Sequence, residues 1–193
     1  MIAFKGFSPD LTARMGKGRY QFALGRTERE EKSKTVRCGF HCCENPFDCL
    51  SYYNLDTDRF FLVEAAGSID EDEQNRIACT EITLLQELTI KQFTGYGMAY
   101  MVQHPLREGW KRCSGSVLIA KDKADGGEWD FIVIARGAAP MARARVGKVI
   151  GLIQEPRKGE ITAARVFTAD RQQAGKWYTL GRNGKIEEVT DAV

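Results

Sequence analysis

The spacing of hydrophobic and polar positions changes along the chain, and that spacing predicts where strands lie. Apolar residues at alternate positions predict half-buried strands over 20–24 and 76–87. Short apolar runs predict buried strands over 1–7 and 59–66, and a further strand is expected over 36–43. The N-terminal part is therefore expected to be built around a sheet.

Two helices are predicted beside this sheet from their start signals. Asn45 suits an N-cap and Pro46 suits the first helical position, which predicts a short helix over 47–53. A capping box at 89–92 opens a second helix. This helix is expected to end before Pro105, because the residue preceding a proline disfavours helical backbone.

The C-terminal part follows another pattern. Short apolar runs at 117–120, 131–135 and 149–153 are separated by Gly, Ala and charged residues without a helical period. This spacing predicts an all-β stack, either a short β-solenoid or a meander. The Asn-Gly pair at 183–184 predicts a final β-hairpin, expected to cover the open end of the stack.

The fold class predicted from these patterns is α+β. Residues 1–105 are expected to form an α+β module with a mixed sheet and two short helices. Residues 106–113 are read as a linker, and residues 114–193 as the β-rich region. A chain of 193 residues can bury a substantial core without disulfide staples.

Composition and charge narrow the functional classes. The net charge of +2 gives no strong field that would recruit nucleic acid or an anionic membrane. No apolar run approaches the ~18 residues of a membrane span, and the first residues lack the pattern of a signal peptide. A cytoplasmic location is therefore expected, where the six cysteines would stay reduced.

One segment concentrates potential metal ligands and nucleophiles, namely Cys38, His41, Cys42, Cys43 and Cys49. Their spacing contains no Cys-x-x-Cys pair and no distal second pair, so no metal site is predicted. On a strand, Cys38 and Cys42 would point to one face while His41 and Cys43 point to the other. His41 is thus poorly placed to act as a base for an adjacent thiol, and buried cysteines that pack as small hydrophobic residues are the simpler interpretation.

Several short motifs occur in order near the start and the end of the chain. They are Lys5-Gly6-Phe7, Gly39-Phe40-His41, Cys43-Glu44-Asn45-Pro46, Asp48, Leu50, Tyr52-Tyr53, Val63-Glu64-Ala65, Gly67, 83–88, Trp177-Tyr178 and Asn183-Gly184. This set resembles a family of bacteriophage and prophage proteins of unknown function, in which Phe is usual at the position of Cys42. The resemblance implies a phage origin, the host cytoplasm as location and a solenoid-like C-terminal region. It implies no activity.

The first strand and the motif segment are also similar in outline to ADP-ribosyltransferases, although such enzymes carry Arg or His at the position of Lys5. The candidate catalytic residues are Lys5, His41 and Glu64, with Glu81 and Glu87 as alternative carboxylates. The candidate ligand-binding residues are His41 and Asn45, because a helix N-terminus suits a phosphate or carboxylate. This hypothesis covers an active enzyme and an inactive relative that binds a nucleotide.

Two charged clusters complete the set of candidate sites. The acidic run at 70–73 is interpreted as a solvated loop tip, with a weak divalent-cation site as the alternative. Arg136, Arg143, Arg145 and Lys148 form a basic stretch, interpreted as a solubilising face or as an interaction surface for an anionic partner.

The function predicted from the sequence is that of a phage accessory protein that binds a host or phage macromolecule, in counter-defence or as a minor structural component. Nucleic acid is not favoured as the partner, and neither a cofactor nor a membrane is expected. Exposed strand edges favour a homo-oligomer, and an assembly component that trimerises through its β-stack is a third hypothesis. A binding protein predicts a flat or filled surface beside His41. An enzyme or nucleotide-binding relative predicts an open cleft that Lys5 and His41 share, and the sequence leaves open whether the chain catalyses a reaction.

Overall fold

The computed structural model describes residues 1–15, 18–35, 37–71, 76–107 and 116–190. The chain forms two compact units, Met1–Thr89 and Ile90–Val193. The described residues are mostly β, with two helices, one of the 3-10 type and one α-helix. The linker predicted over 106–113 lies mostly outside the described residues.

The first unit is built on strands β1 to β7. They are β1 Ile2–Phe7, β2 Thr12–Met15, β3 Gly18–Gln21, β4 Thr27–Arg29, β5 Phe40–Cys42, β6 Arg59–Glu71 and β7 Ile77–Glu87. The main sheet has the order β1-β6-β7-β4, and β5 also pairs with β7, while β2 and β3 form a separate pair. The predicted mixed sheet is wrong, because every pairing between these strands is antiparallel.

The main sheet curls until its two edges meet. The β6–β7 ladder shifts register between Leu62 and Val63 and again between Ala66 and Ile69, and such bulges increase coiling. An isolated bridge between Phe4 and Cys43 then joins the end of β5 to β1. The inner face is packed with buried side chains, among them Ala3, Phe7, Phe22, Phe40, Cys42, Phe61, Val63 and Cys79.

The helix predicted over 47–53 is confirmed in place, as a 3-10 helix at Pro46–Ser51. The Asn45 side chain accepts a hydrogen bond from the Phe47 backbone N–H at 3.2 Å, as expected of an N-cap. The strand predicted over 36–43 is shorter than expected. A tight turn, closed by two backbone hydrogen bonds of 3.0 Å between Lys34 and Cys38, occupies its first half.

The second predicted helix is confirmed as α1, Ile90–Gln103, and it belongs to the second unit. Phe93, Met98 and Met101 are buried on its inner face. Gly151 allows close packing here, because a Cβ at that position would lie 2.7 Å from the Met98 sulfur. Neither helix in the described part of the chain is long and apolar enough to cross a membrane.

The second unit carries a six-stranded mixed sheet in the form of a half-barrel. Its strands are β8 Val117–Asp125, β9 Ile132–Arg143, β10 Val149–Gln154, β11 Ala163–Thr168, β12 Tyr178–Leu180 and β13 Ile186–Glu188. The order is β11-β10-β9-β12-β13, with β8 also paired to β9. The β8–β9 and β9–β10 pairs are parallel, and the remaining pairs are antiparallel.

The predicted solenoid is wrong, although its spacing reflects a real pairing. Val117 and Val149 both lie opposite Ile132, so the three apolar runs align in parallel register as solenoid coils would. The later strands run antiparallel and continue the sheet instead of adding coils. The predicted Asn-Gly hairpin is confirmed as β12–β13, with Gly184 at φ +69°, but it pairs beside β9 and does not cover the end of a stack.

Candidate functional site

A cavity of about 580 Å³ opens in the first unit, a volume in the usual range for small-molecule sites. It lies beside β1, the end of β5 and the 3-10 helix. The lining residues are Phe4, Lys5, Gly6, Ser8, His41, Cys42, Cys43, Cys49, Tyr52, Tyr53, Asn54, Asp58 and Arg76. The structure therefore brings two of the predicted site residues, Lys5 and His41, to one open cavity.

The backbone around the cavity explains why it forms. At the isolated bridge, Phe4 and Cys43 exchange two backbone hydrogen bonds of 2.8 Å. Beyond the bridge, the His41 carbonyl accepts a hydrogen bond from the Lys5 side chain at 2.6 Å. Gly6 is required at the next position, because a Cβ there would lie 2.3 Å from Cδ2 of Tyr53.

Lys5 is the most unusual residue of the site. Only 7% of it is exposed, and its ammonium lies 5.4 Å from the centre of the Phe7 ring and 5.8 Å from that of Phe22. No carboxylate is paired with it among the described residues. Burial away from water lowers the pKa of Lys5 below its usual value of 10.5. The side chain is therefore a lysine that gives up its proton more readily than an exposed one.

Four buried thiols lie near Lys5 and form two pairs. Cys42 pairs with Cys79 in the sheet interior, and the hydrogen bond that the Cys42 S–H donates to Cys79, together with burial, raises the pKa of Cys42. Cys49, on the 3-10 helix, pairs with Cys43, and this contact and burial raise the pKa of Cys49. The two pairs follow the strand alternation expected from the sequence. The raised pKa values make Cys42 and Cys49 unlike an activated nucleophile, whereas the hydrogen bond with Cys42 lowers the pKa of Cys79.

The structure places the remaining predicted site residues outside the cavity lining. The buried Asn45 side chain caps the 3-10 helix and contacts Asp48 at 3.3 Å. Glu64 is exposed on β6. Each of the two alternative carboxylates is paired with an arginine: Glu81 with Arg29 at 3.7 Å and Glu87 with Arg59 at 2.6 Å.

The carboxylate that does line the cavity is Asp58, which the sequence did not single out. It accepts a hydrogen bond from the Asn54 backbone N–H at 2.8 Å, so a local turn positions it. Arg76 and Tyr52 were also missed, and the Arg76 guanidinium lies 5.7 Å from the centre of the Tyr52 ring. Tyr52 and Tyr53 follow the capped helix directly, which was a usable signal. Arg76 carried none.

The basic stretch of the second unit does not form a cluster of free cations in the described part of the chain. Its arginines are each paired with a carboxylate: Arg136 with Glu155 at 2.7 Å, Arg143 with Asp125 at 2.6 Å and Arg145 with Glu128 at 3.9 Å. Lys148 lies 3.5 Å from the centre of the Phe131 ring. An interaction surface formed by these residues remains a prediction.

The acidic run has a structural role at its first residue. Hydrogen bonds to Asp70 from the backbone of Thr35, then from Lys34 and the Thr35 hydroxyl, lower the pKa of Asp70 to about 2. Its carboxylate thereby holds the turn ahead of β5. Residues 72 and 73 of the run lie outside the described residues, and the described part of the chain contains no group of three or more His, Cys, Asp or Glu arranged to hold a metal ion.

Fold and site together define the first unit as a small antiparallel β domain with a side cavity. Residues 1–95 match the family described as a domain of unknown function, DUF7666, and this part of the chain is similar to that family. The whole cavity lining, from Phe4 to Arg76, falls within the match. No curated protein and no solved structure matches the chain. The match names no bacteriophage family, so the phage origin remains a prediction.

Proposed function

We propose that the first unit binds a small anionic ligand of the nucleotide class in the cavity beside Lys5 and His41. The observation that carries this proposal is the open cavity itself. A protein that only uses this face to bind a macromolecule was expected to have a flat or filled surface beside His41. An open cleft that Lys5 and His41 share was the condition set for a nucleotide-binding protein.

The hydrogen-bond donors of the lining suit an anion. Arg76 carries a permanent positive charge and planar N–H donors, which suit phosphate or carboxylate oxygens. Lys5 adds further N–H donors. Asp58 is the single acidic side chain among the described lining residues, so basic groups outnumber acidic ones.

The aromatic side chains of the lining favour a planar ring on the same ligand. Tyr52 and Tyr53 lie at the same cavity as Arg76, and tyrosine faces stack well against nucleobases. A nucleotide combines a planar ring with a phosphate, which matches this pair of features. The proposal includes both a binding protein and an enzyme, since the described lining holds Asp58 and His41 as groups able to transfer a proton.

Calorimetric titration tests the proposal with NAD, ATP and inorganic phosphate as probes. We expect at least one nucleotide to bind with a Kd below about 1 mM. The Arg76→Met variant should weaken this binding about tenfold, which corresponds to about 1.4 kcal/mol. The matched control is Arg37→Met, an exposed arginine of the same unit that does not line the cavity. Equal affinities for the two variants, or no binding of any probe, would overturn the proposal.

The accessory role predicted from the sequence remains a second proposal. It includes a host or phage protein partner, a homo-oligomer and a location in the host cytoplasm. This role can be tested separately from ligand binding, because a partner captured from infected cells by both the wild type and Arg76→Met would bind a surface other than the cavity.

A further inference from the structure

We propose that Lys5 condenses with the carbonyl group of a small ligand in this cavity to form a reversible imine, and that the ligand also carries a carboxylate or phosphate. The substrate class is thus an anionic aldehyde or ketone. This inference rests on the proposed anion-binding function, because Arg76 would hold the anionic group while Lys5 meets the carbonyl carbon.

The step balances without any oxidant or reductant. The lone pair of the Lys5 nitrogen attacks the carbonyl carbon, and the carbonyl oxygen takes up a proton to give a carbinolamine. Loss of one water molecule, formed from that oxygen, one amine hydrogen and one proton, leaves a C=N bond between Lys5 and the ligand. Hydration of the imine reverses the step and releases the ligand.

The surroundings of Lys5 meet the requirement for a nucleophilic amine, which is a neutral nitrogen in a fixed position. The His41 carbonyl, 2.6 Å away, holds the nitrogen in place through a single N–H. The rings of Phe7 and Phe22 exclude water from it. With no carboxylate paired to it among the described residues, the charged form is disfavoured, since a buried cation without a countercharge is unstable.

Other lysines of the chain have surroundings that differ from those of Lys5. Lys34 lies 3.0 Å from Asp70 and Lys176 lies 3.0 Å from Glu188, and both side chains are largely exposed. Lys148 is half-buried against the Phe131 ring in the second unit and does not line the cavity beside Lys5. Lys148 therefore serves as the reference lysine, because it has an aromatic neighbour as Lys5 does but does not line the cavity.

The anionic group sets the expected selectivity. Arg76 lines the same cavity, so a carbonyl compound with a carboxylate can place its charge at Arg76 and its carbonyl at Lys5. A neutral aldehyde of similar size has only the carbonyl contact. Glyoxylate and propanal are thus a matched pair of probes, one with the anionic group and one without it.

The experiment is trapping with borohydride, which reduces an imine to a stable secondary amine. The full-length protein is incubated with glyoxylate or propanal, reduced, digested and mapped by mass spectrometry. We expect glyoxylate to label Lys5 about tenfold more than Lys148 within the same molecule, a preference that corresponds to about 1.4 kcal/mol. Propanal should show a smaller preference for Lys5, and Arg76→Met should reduce the glyoxylate preference to that of propanal.

The comparison within one wild-type molecule keeps the test independent of whether a Lys5 variant folds. Labelling of Lys5 at or below the level of Lys148 would overturn the imine proposal. If nucleotides or phosphate still bind in the calorimetric titration, the anion-binding function survives that result. If neither labelling nor anion binding occurs, both proposals fail.

Discussion

Among the described residues, each unit buries one basic side chain, and the surroundings of the two side chains differ in charge. Arg136, 9% exposed, is held by Glu155 through two hydrogen bonds of 2.7 and 2.8 Å and donates to the Pro105 carbonyl at 2.6 Å. Lys5, 7% exposed, is held by one backbone carbonyl and by aromatic rings. One cation has its countercharge built into the fold, and the other has none among the described residues.

This difference suggests a structural role for Arg136 and a functional role for Lys5. A buried charge that is paired and hydrogen-bonded can keep its charge and hold two segments together. A buried lysine without a carboxylate adds little to stability, and its presence at an open cavity points to a ligand or a reaction. Substitutions at the two sites distinguish a structural ion pair at Arg136 from a reactive amine at Lys5.

The largest effect is expected at the paired cation. Glu155→Gln leaves Arg136 buried without its countercharge and should lower the free energy of unfolding by about 3–5 kcal/mol. Chemical denaturation measures this. The control is Asp125→Asn, which breaks the exposed pair with Arg143 and should cost about 0–1 kcal/mol. Similar losses in the two variants would show that the Arg136 pair is no more structural than a surface pair.

A smaller loss is expected from filling the space beside Lys5. Gly6→Ala sets a Cβ against Tyr53, at 2.3 Å from Cδ2, and overpacking of this kind costs about 1–3 kcal/mol. Nucleotide binding should fall with it, because Tyr53 lines the cavity. The control is Gly95→Ala on α1, where the nearest atom would be 3.8 Å away and helix propensity predicts a gain of about 0.5–1 kcal/mol. Unchanged ligand binding by Gly6→Ala would show that the cavity at Tyr53 is not the site.

Replacing the unpaired cation should change stability least and with a characteristic pH dependence. Lys5→Met keeps the apolar stem and loses one hydrogen bond, so a change within about 1 kcal/mol is expected at neutral pH. Because the pKa of Lys5 is lowered by burial, the unfolded chain binds more protons than the native one between that lowered pKa and 10.5. The wild type should therefore gain stability relative to Lys5→Met as the pH rises through this window.

Urea denaturation at about pH 7 and about pH 10 measures this pH dependence, and the exposed Lys32→Met variant is the matched control. A wild type that loses stability relative to Lys5→Met toward high pH would mean that Lys5 is paired in the native state. Lys5 would then be an ion-paired cation, as Arg136 is, and would not be a nucleophile.

The sequence predicted the features that depend on neighbouring residues. The Asn45 cap, the capping box before α1 and the Asn183-Gly184 hairpin were each signalled within a few positions, since their hydrogen bonds close locally. The period of the C-terminal apolar runs predicted a stack of short strands, either a β-solenoid or a meander. It could not predict where the chain reverses, so the half-barrel was mistaken for a solenoid.

The features that create the site depend on distant residues and were largely beyond prediction. The bridge that closes the sheet joins Phe4 to Cys43, two residues that are far apart in the sequence. No pattern near either residue predicts this pairing. Lys5 and His41 were selected because of their motifs, but the burial of Lys5 was not foreseen. Asp58 and Arg76 enter the cavity because the ends of β6 and β7 lie near β1 and β5, a consequence of sheet curvature that periodicity does not encode.

The finest test of the comparison concerns the thiols around Lys5, because a thiolate there would supply the countercharge that carboxylates do not. Hydrogen bonding and burial raise the pKa of Cys42 and Cys49, whereas the hydrogen bond from Cys42 lowers the pKa of Cys79. Iodoacetamide should therefore label neither Cys42 nor Cys49 in the native protein, and the exposed Cys38 should react. Labelling in denaturant confirms that both sites are reactive once unfolded, and Cys38→Ser should remove the label found in the native protein. Native labelling of Cys42 or Cys49 at the rate of Cys38 would reveal an accessible thiolate beside Lys5. Lys5 would then be an ion-paired cation like Arg136, and the imine proposal would lose its chemical basis.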